Sequence, residues 1–560
     1  MADNPNLHAG MPRLNPHRFA MRRGFAQECG MNQQNPPQSF ARILATAAMV
    51  LLAMTAFVAP PALAAPGLPS TNVAWVPAAA DADVDAAFAR AKAEKKPVLL
   101  YWGATWCPPC NQLKATLFNR QDFAAQAKSM VAVHVDGDRP GAQKLGTRFK
   151  VRGYPTVILM TADGAEIARL PGEADAPQVM ALLQSGLAAG RPIKAVLADA
   201  RAGKSLSINE WRTLAFHSWD LDEGQLVSPA ERAHVVAELA RRSATSAVDT
   251  ETTTRLWLKA LALSDETQGV KPDAALRDRV VAVLADAAQS RIHMDVLANF
   301  SDALLKVLAP DEGADRARLL AQMDAALARL QADSTLSRSD RVSALISRVQ
   351  LARLSQGKEV VHPKLPEGLV RDVREMSARM DREITDGYER QAVMTSVGYM
   401  LGQAGLWSES EALLKANLPK SHSPYYLMSQ LGSNARKQGK KDEALSWYQQ
   451  SFQKSEGPAT RLQWGAGYLA ALVDLSPADA PQIEKTAAQL FSEAAKDKGS
   501  FYERSARSLQ RVSQKLNEWN KDGSRTASLT RLRQQLQTVC AGVDTADGQR
   551  NTCERLLKPS

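Results

Sequence analysis

The sequence predicts an α/β domain near the amino terminus followed by a large all-α region, and three observations support this prediction. Between residues 81 and 191, short apolar runs rich in β-branched residues alternate with helical patterns, which is typical of a sheet with crossover helices. Beyond Pro192, Ala, Leu, Arg, Gln and Glu recur at helical spacing with few β-branched runs. The length of 560 residues exceeds what one hydrophobic core holds, so more than one domain is expected.

Composition and charge are those of an ordinary globular protein. Hydrophobic residues make up 45% of the chain and charged residues 23%, and the formal net charge is +10. The sequence has no block of like charge and no basic patch with interleaved aromatic residues. We therefore expect no nucleic-acid partner.

Residues 1–64 have the pattern of an export leader. Arg42 precedes an apolar run over 43–58, and Ala62-Leu63-Ala64 supplies a small-x-small cleavage pattern. The run of about 16 residues is short for a membrane span. We predict cleavage after Ala64 and a periplasmic location. An uncleaved signal anchor is the alternative, and only then would a membrane be a partner.

Residues 65–80 are rich in Pro and Ala and are predicted to form a tether to the α/β domain, 81–191. A helix begins near Asp83, a second helix begins at two cysteines, and Asp175 caps the closing helix. The order of elements indicates helices that cross between parallel strands, with a hairpin at the end. The predicted strands are 98–101, 130–135, 156–160 and 166–170.

The cysteines fall into two local pairs. Cys29 lies in the predicted leader, which leaves Cys107 with Cys110 and Cys540 with Cys553. An even number of cysteines in an exported protein favours pairing. A Cys540–Cys553 bond would contribute about 3 kcal/mol to stability by the chain-entropy model, so we interpret it as a structural disulfide. A second redox pair that relays electrons to Cys107 is the alternative.

Cys107 and Cys110 stand three residues apart where a strand leads into a helix, a pattern suited to thiol–disulfide exchange. A helix N-terminus favours the thiolate, which is the attacking species. Residues three apart share a helix face, so Cys110 can resolve a mixed disulfide formed at Cys107. Since the other two cysteines of the mature chain lie more than 400 residues away and no nearby pair of His residues completes a zinc site, we expect no metal and no cofactor beyond this disulfide. Trp106 is expected either to cover the site and face the substrate or simply to pack.

The segment Trp106-Cys-Pro-Pro-Cys110, together with Gly153-Tyr154-Pro155-Thr156, resembles thioredoxin. The flanking segments Lys96–Leu100 and Thr116–Phe118 are similar to the C-terminal domain of the disulfide reductase DsbD and to related exported thioredoxins. The resemblance covers about residues 72–190 and implies a thioredoxin fold. It also implies that Pro155 is cis and that the backbone of Tyr154 pairs with the substrate.

The sequence departs from this family at Tyr101. Six residues before the first cysteine, the family usually has a buried acidic residue that assists deprotonation of the second cysteine. We consider Glu166, Lys96 and Lys114 as substitutes. Without such a group the second step of exchange is expected to be slower.

The all-α region is predicted to have two parts, 192–356 and 369–535, separated by a Pro/Gly-containing break, and a C-terminal segment, 536–560. In the second part, Gly398 and Gly432 stand 34 residues apart, as do Gly405 and Gly439. This period, and the segment 426–458, resemble tetratricopeptide repeats.

Together these features predict an exported thiol–disulfide oxidoreductase that acts on protein clients. The resemblance to DsbD favours reduction, and the helical region would present or select the clients. The upstream electron donor is not identified by the sequence. The alternative is a helical-repeat binding or scaffold protein with an accessory redox domain.

Overall fold

The computed structural model describes residues 73–170, 175–222, 224–246, 248–265, 268–357, 359–556 and 558. The predicted leader 1–64, its cleavage site at Ala64 and most of the predicted tether lie outside the described residues.

The α/β domain is built on one five-stranded mixed sheet in the order β1-β3-β2-β4-β5. The first three strands in this order are parallel, β4 runs antiparallel to β2, and β5 closes the sheet as an antiparallel hairpin. All six residues of β2 are buried, which explains why its sequence is continuously apolar rather than alternating. The strands are β1 (Val76–Ala78), β2 (Val98–Gly103), β3 (Val131–Asp136), β4 (Thr156–Met160) and β5 (Glu166–Leu170).

Strand β1 corrects the prediction of a tether over 65–80. Val76 pairs with Val133, so the end of this segment forms the edge of the sheet. Trp75 is 9% exposed and packs edge-on against Phe118, 5.2 Å between ring centroids. The Pro- and Ala-rich composition concealed this strand because three residues are too few to show a periodic pattern.

Helices cover both faces of the sheet, as the alternating pattern predicts. Helices α1 and α4 share a core with the face that carries Trp102, while α2, α3 and α5 pack on the face that carries Tyr101. Asp175 caps α5 in a capping box with Gln178. The helices are α1 (Asp81–Glu94), α2 (Pro108–Leu113, continued by a π-helical turn over Lys114–Phe118), α3 (Gln121–Ala127), α4 (Ala142–Arg148) and α5 (Ala176–Ala189).

From residue 193 onward, all the regular structure in the described residues is helical, which confirms the predicted all-α region. The first part contains α6 (Ile193–Arg201), α7 (Ile208–Phe216), α8 (Arg232–Ala244), α9 (Thr250–Ala262), α10 (Ala274–Ala285), α11 (Ala287–Ile292), α12 (Met294–Leu308), α13 (Ala314–Ala332) and α14 (Arg338–Ala352). The second part contains α15 (Glu367–Glu383), α16 (Gly387–Gln403), α17 (Trp407–Asn417), α18 (Pro424–Lys437), α19 (Lys441–Lys454), α20 (Pro458–Leu475), α21 (Ala480–Ala494), α22 (Glu503–Trp519), α23 (Thr526–Ala541) and α24 (Gln549–Arg555). Among the described helices, none is both long enough and apolar enough to cross a bilayer.

The predicted domain boundaries do not separate hydrophobic cores. One core joins Leu183 of the α/β domain to Leu214 and Leu239 beyond Pro192. Another joins Val349, before the Pro/Gly-containing break, to Leu369 after it. The break is a loop between α14 and α15, and Pro and Gly mark that change in chain direction without marking the edge of a core.

Two successive helix pairs pack in the same way at the 34-residue spacing. A Cβ on Gly398 would lie 2.6 Å from Leu414, and a Cβ on Gly432 would lie 3.0 Å from Tyr448, so in each pair the glycine lets the following helix approach closely. Gly405 and Gly439 follow α16 and α18 with φ of 75° and 73°. The assignment of these pairs to the tetratricopeptide class stays a prediction.

Candidate redox site

Cys107 and Cys110 form a disulfide at the start of α2, with their Cα atoms 5.2 Å apart. Cys107 is the N-cap of this helix, and its sulfur accepts a hydrogen bond of 3.2 Å from the backbone N–H of Cys110. Pro108 occupies the first turn, where a missing N–H costs least. The amide of Asn111 donates to the carbonyls of Thr105 and Cys107, at 2.8 and 2.9 Å, and so fixes the loop that leads from β2 into α2.

The peptide bond between Tyr154 and Pro155 is cis, and Tyr154 packs with Trp106 against the disulfide. The hydroxyl of Tyr154 accepts a hydrogen bond of 2.9 Å from Gln143. Gly137 makes room for this hydroxyl, since a Cβ at that position would lie 2.1 Å from it. The structure therefore brings together five of the residues that the sequence analysis singled out: Trp106, Cys107, Cys110 and the Tyr154–Pro155 pair.

Tyr101 is an apolar packing residue in this structure and does not replace a carboxyl group. It is 1% exposed, and its ring stacks on His134 with 4.9 Å between centroids. Its hydroxyl is buried without a hydrogen-bond partner. Burial raises the pKa of this hydroxyl, and the nearby charge of Asp136 raises it further. Burial also lowers the pKa of His134 to about 4, so both rings are neutral at pH 7.

Two of the three predicted substitutes for the missing acid are engaged elsewhere. Glu166 pairs with Arg169 on β5 at 2.9 Å, and Lys96 pairs with Glu94 on the surface at 2.8 Å. Lys114, one helical turn after Cys110, is buried beside the ring of Tyr388, with its Nζ 5.0 Å from the ring centroid. Burial lowers the pKa of Lys114, and the charge of Asp136 opposes that change.

Asp136 is a group near the end of β2, the strand that leads to the cysteines, and the sequence analysis did not single it out. It ends β3 and stands opposite Gly103, the last residue of β2. Burial raises the pKa of its carboxyl, while a hydrogen bond of 3.0 Å from the backbone N–H of Asp138 acts against this change. The signal in the sequence was an acidic residue at the end of β3, the strand that pairs with β2.

Trp106 contacts aromatic residues of the helical region as well as its own domain. Its indole Nε1 donates to Asp138 at 2.8 Å. Its ring stacks on Tyr426 of α18, at 5.8 Å and 20°, and meets Trp464 of α20 edge-on, at 6.2 Å and 76°. The predicted substrate-facing surface of Trp106 is thus in contact with the same chain.

Arg504 of α22 lies over both aromatic residues that flank the disulfide. Its guanidinium carbon is 5.1 Å from the ring centroid of Trp106 and 5.2 Å from that of Tyr154. It also forms an ion pair with Asp138, which in addition accepts a hydrogen bond of 2.6 Å from the hydroxyl of Thr460. Asp138 therefore joins a loop of the α/β domain to α20 and α22.

Polar contacts from the helical region also hold the rest of the active-site loop and helix. His422 donates from Nε2 to the carbonyl of Thr105 at 3.0 Å, and burial lowers the pKa of His422. Gln112 on α2 donates to Asp340 on α14 at 2.9 Å. Burial raises the pKa of Asp340 to about 6, while hydrogen bonds from Ser337 and Gln112 act in the opposite direction.

As a result the disulfide is covered. Cys107 is 2% exposed and Cys110 is fully buried. The sequence could not indicate this, because the residues that cover Trp106 and Tyr154 lie more than 300 positions downstream and belong to helices whose inward faces look alike in the sequence. Within the described parts of the chain, no group of three or more His, Cys, Asp and Glu side chains is arranged to hold a metal ion.

Cys540 and Cys553 form a second disulfide, between α23 and α24, with their Cα atoms 5.6 Å apart. Both cysteines belong to a core that includes Leu532 and Leu536 of α23 and Leu556, just after α24. The role of this disulfide as a structural bond stays a prediction.

The fold and the cysteine geometry define a thioredoxin-like domain, and a family model described as a thioredoxin-like domain matches residues 84–187. Among curated proteins, the chain is 32% identical to thiol:disulfide interchange protein DsbD 2 of Pseudomonas aeruginosa over 120 residues, which are 21% of this chain and 20% of that protein. It is 31% identical to DsbD 1 of the same organism over 114 residues, 20% of this chain and 19% of that protein. It is 38% identical to DsbD of Vibrio vulnificus over 88 residues, 15% of each chain.

The matched stretch spans about a fifth or less of the length of these relatives. The domain match and the disulfide at Cys107 and Cys110 support thiol–disulfide oxidoreductase chemistry for this domain. They do not extend to the helical region, which makes up most of the chain.

Proposed function

We propose that the protein is an exported, periplasmic thiol–disulfide oxidoreductase that reduces disulfides in protein clients through Cys107 and Cys110. The observation that carries this proposal is the Cys107–Cys110 disulfide at the start of α2, packed against the cis Tyr154–Pro155 bond. Similarity to proteins named thiol:disulfide interchange protein supports the reaction class.

In the reduced enzyme, the thiolate of Cys107 attacks one sulfur of a client disulfide. The client's other sulfur leaves as a thiolate, and a mixed disulfide joins the client to Cys107. The thiolate of Cys110 then attacks the sulfur of Cys107, which releases the client as a dithiol and forms the Cys107–Cys110 disulfide. Two electrons pass from enzyme to client, and a separate dithiol donor must return the enzyme to its reduced form.

The chain supplies specific support for each step. The backbone N–H of Cys110, 3.2 Å from the sulfur of Cys107, favours a negative charge on that sulfur. The cis-proline loop lies beside the disulfide, where the backbone of Tyr154 would position a client strand. Tyr101 and His134 are neutral at pH 7, so proton transfer to or from Cys110 would depend on Lys114, Asp136 or solvent.

Trapping of a mixed disulfide tests the assignment of the two cysteines. The Cys110→Ser variant, reduced and then mixed with insulin, should accumulate a covalent adduct through Cys107, because the resolving thiol is absent. The Cys107→Ser variant should form no adduct, and Cys553→Ser, which leaves a buried thiol at Cys540, is the matched control. Equal adduct formation by all three variants, or none by Cys110→Ser, would contradict the proposal.

The alternative, a helical-repeat scaffold with an accessory redox domain, draws support from the burial of both cysteines. The two functions differ in turnover. An accessory disulfide would react with reductant without catalysing reduction of a client, whereas an oxidoreductase turns over many client molecules per chain.

A further inference from the structure

The side chains beside the redox disulfide are held by three residues from three different helices of the helical region. We define the clasp as Tyr426 of α18, Trp464 of α20 and Arg504 of α22. Tyr426 and Trp464 contact each other edge-on, with 5.5 Å between ring centroids. Both also contact the indole ring of Trp106, and Arg504 lies over that same ring. The inference drawn from the clasp rests on the proposed function and concerns how that site is reached.

The clasp occupies the surface that a client would need. Exchange requires a client sulfur to approach Cys107 in line with the bond that breaks, with the client strand against Tyr154 and Pro155. Cys107 is 2% exposed, and Arg504 covers the ring of Tyr154. The backbone before the cis-proline is engaged as well, since the carbonyl of Arg152 accepts a hydrogen bond of 2.9 Å from Arg507.

The contacts of the clasp and its neighbours combine hydrogen bonds and an ion pair with aromatic packing, as interfaces between two proteins do. Asp138 receives hydrogen bonds from Trp106 and Thr460 and the ion pair from Arg504. Trp464 and Arg504 are 8% and 9% exposed, so these contacts are largely shielded from water. Aromatic and Arg side chains in such buried positions contribute most to interface stability.

We propose that the clasp is an autoinhibitory contact: it holds the Cys107–Cys110 site closed against protein clients, and exchange requires α18, α20 and α22 to move away from Trp106. In this closed state the helical region contacts the active-site face of its own chain and blocks it. A client reaches the disulfide either after the clasp has opened by itself or by displacing the clasp from the indole ring of Trp106.

The rate at which dithiothreitol reduces each disulfide measures this closure directly. After a quench with N-ethylmaleimide, peptide masses report the Cys107–Cys110 and Cys540–Cys553 disulfides separately in one sample. In Trp464→Ala and in Arg504→Ala, the Cys107–Cys110 disulfide should be reduced about tenfold faster than in the native chain, with the Cys540–Cys553 rate unchanged. The second disulfide thus serves as an internal measure of general unfolding.

Two variants control for lost packing and lost charge. Trp519 on α22 is 8% exposed, the same as Trp464, and Arg531 forms a bidentate ion pair with Glu484 away from the site. Trp519→Ala and Arg531→Ala should leave the Cys107–Cys110 rate within about twofold of the native value, the scatter expected for substitutions away from the contact. Equal acceleration in these controls, or no acceleration in the clasp variants, would overturn the proposal.

The native chain provides a second measurement that does not depend on a variant folding correctly. With increasing urea below the unfolding transition, the Cys107–Cys110 reduction rate should rise exponentially, with a smaller slope than global unfolding, because only one interface opens. A rate independent of urea would show a site that is already open. A slope equal to that of global unfolding would show a site that opens only when the protein unfolds. Either result contradicts the proposal.

These outcomes are separable from those of the proposed function. Insulin reduction by the clasp variants, measured in parallel, reports catalysis, while the dithiothreitol rate reports access. Faster access without any insulin turnover would leave the clasp standing and contradict the oxidoreductase assignment. An unchanged dithiothreitol rate together with insulin turnover would contradict the clasp and leave the oxidoreductase assignment standing.

Discussion

The two disulfides are about equally buried, yet their surroundings differ in ways that fit the roles we propose for them, one reactive and one structural. Cys107 and Cys110 are 2% and 0% exposed, and Cys540 and Cys553 are 4% and 0% exposed. The first pair spans one helical turn, with a backbone N–H donor on the leading sulfur and a cis-proline beside it. The second joins two helices across 13 residues within a local leucine-rich core.

Burial itself therefore does not distinguish the two bonds; the identity of the covering residues does. Cys540 and Cys553 lie in a core formed within residues 435–556, which include the two helices that the bond joins. At the other bond, Trp106 and Tyr154 pack against the cysteines, and residues of α18, α20 and α22, more than 300 positions away, cover these two side chains. An interface can open while each side stays folded, whereas a local core cannot.

The largest expected effect on stability is at the structural disulfide. Replacing both Cys540 and Cys553 by Ser should lower the free energy of unfolding by about 3 kcal/mol. The reason is that the disulfide restricts the conformations of the unfolded chain, and the variant loses this restriction. Urea denaturation of the oxidised protein measures this change. Turnover on insulin should stay at the native level, and its loss would indicate that this pair relays electrons to Cys107.

Asp340 of the helical region contacts α2, the helix that carries the cysteines, through Gln112. We expect this carboxyl to make the stability of the protein depend on pH. Burial raises the pKa of Asp340 from 3.8 to about 6. Below about pH 4 the Asp340 carboxyl is protonated in both the folded and the unfolded protein. Between about pH 4 and 6 it is ionised in the unfolded chain but still protonated in the folded one, so the free energy of unfolding falls as the pH rises.

Asp340→Asn removes this titration. The variant should match the native stability near pH 4 and exceed it by about 2 kcal/mol at pH 7, because the cost of burying an ionised carboxyl is gone. Thermal unfolding across this pH range checks the prediction. Parallel pH profiles for the two proteins would show that the carboxyl is not buried in the way that the structure places it.

Much of the fold could be predicted from sequence because its signals are local. The short apolar runs, the capping residue Asp175 and the predicted hairpin at the end of the domain each specify their own element. The short edge strand at Val76–Ala78 could not be predicted, since three residues carry no period. The cysteine pair and the proline were recognisable as motifs, but the clasp was not. Tyr426, Trp464 and Arg504 sit on ordinary amphipathic helices, and only the packing of those helices brings them to Trp106.

The smallest expected effect concerns Tyr101, which takes the place of an acid in the family that the domain resembles. Its hydroxyl is buried without a partner, so Tyr101→Phe should stabilise the protein by about 1 kcal/mol. Insulin turnover should not change, because the neutral hydroxyl has no part in proton transfer. A severalfold loss of turnover would assign the hydroxyl a role in the chemistry of Cys110.

The central claim is that the buried Cys107–Cys110 bond is catalytic and the buried Cys540–Cys553 bond is not. Turnover of insulin with excess dithiothreitol, compared among the native chain, Cys107→Ser and the Cys540→Ser/Cys553→Ser double variant, tests it most directly. We expect catalysis above the uncatalysed rate for the native chain and the double variant, and none for Cys107→Ser. Equal rates in the native chain and in Cys107→Ser would contradict it.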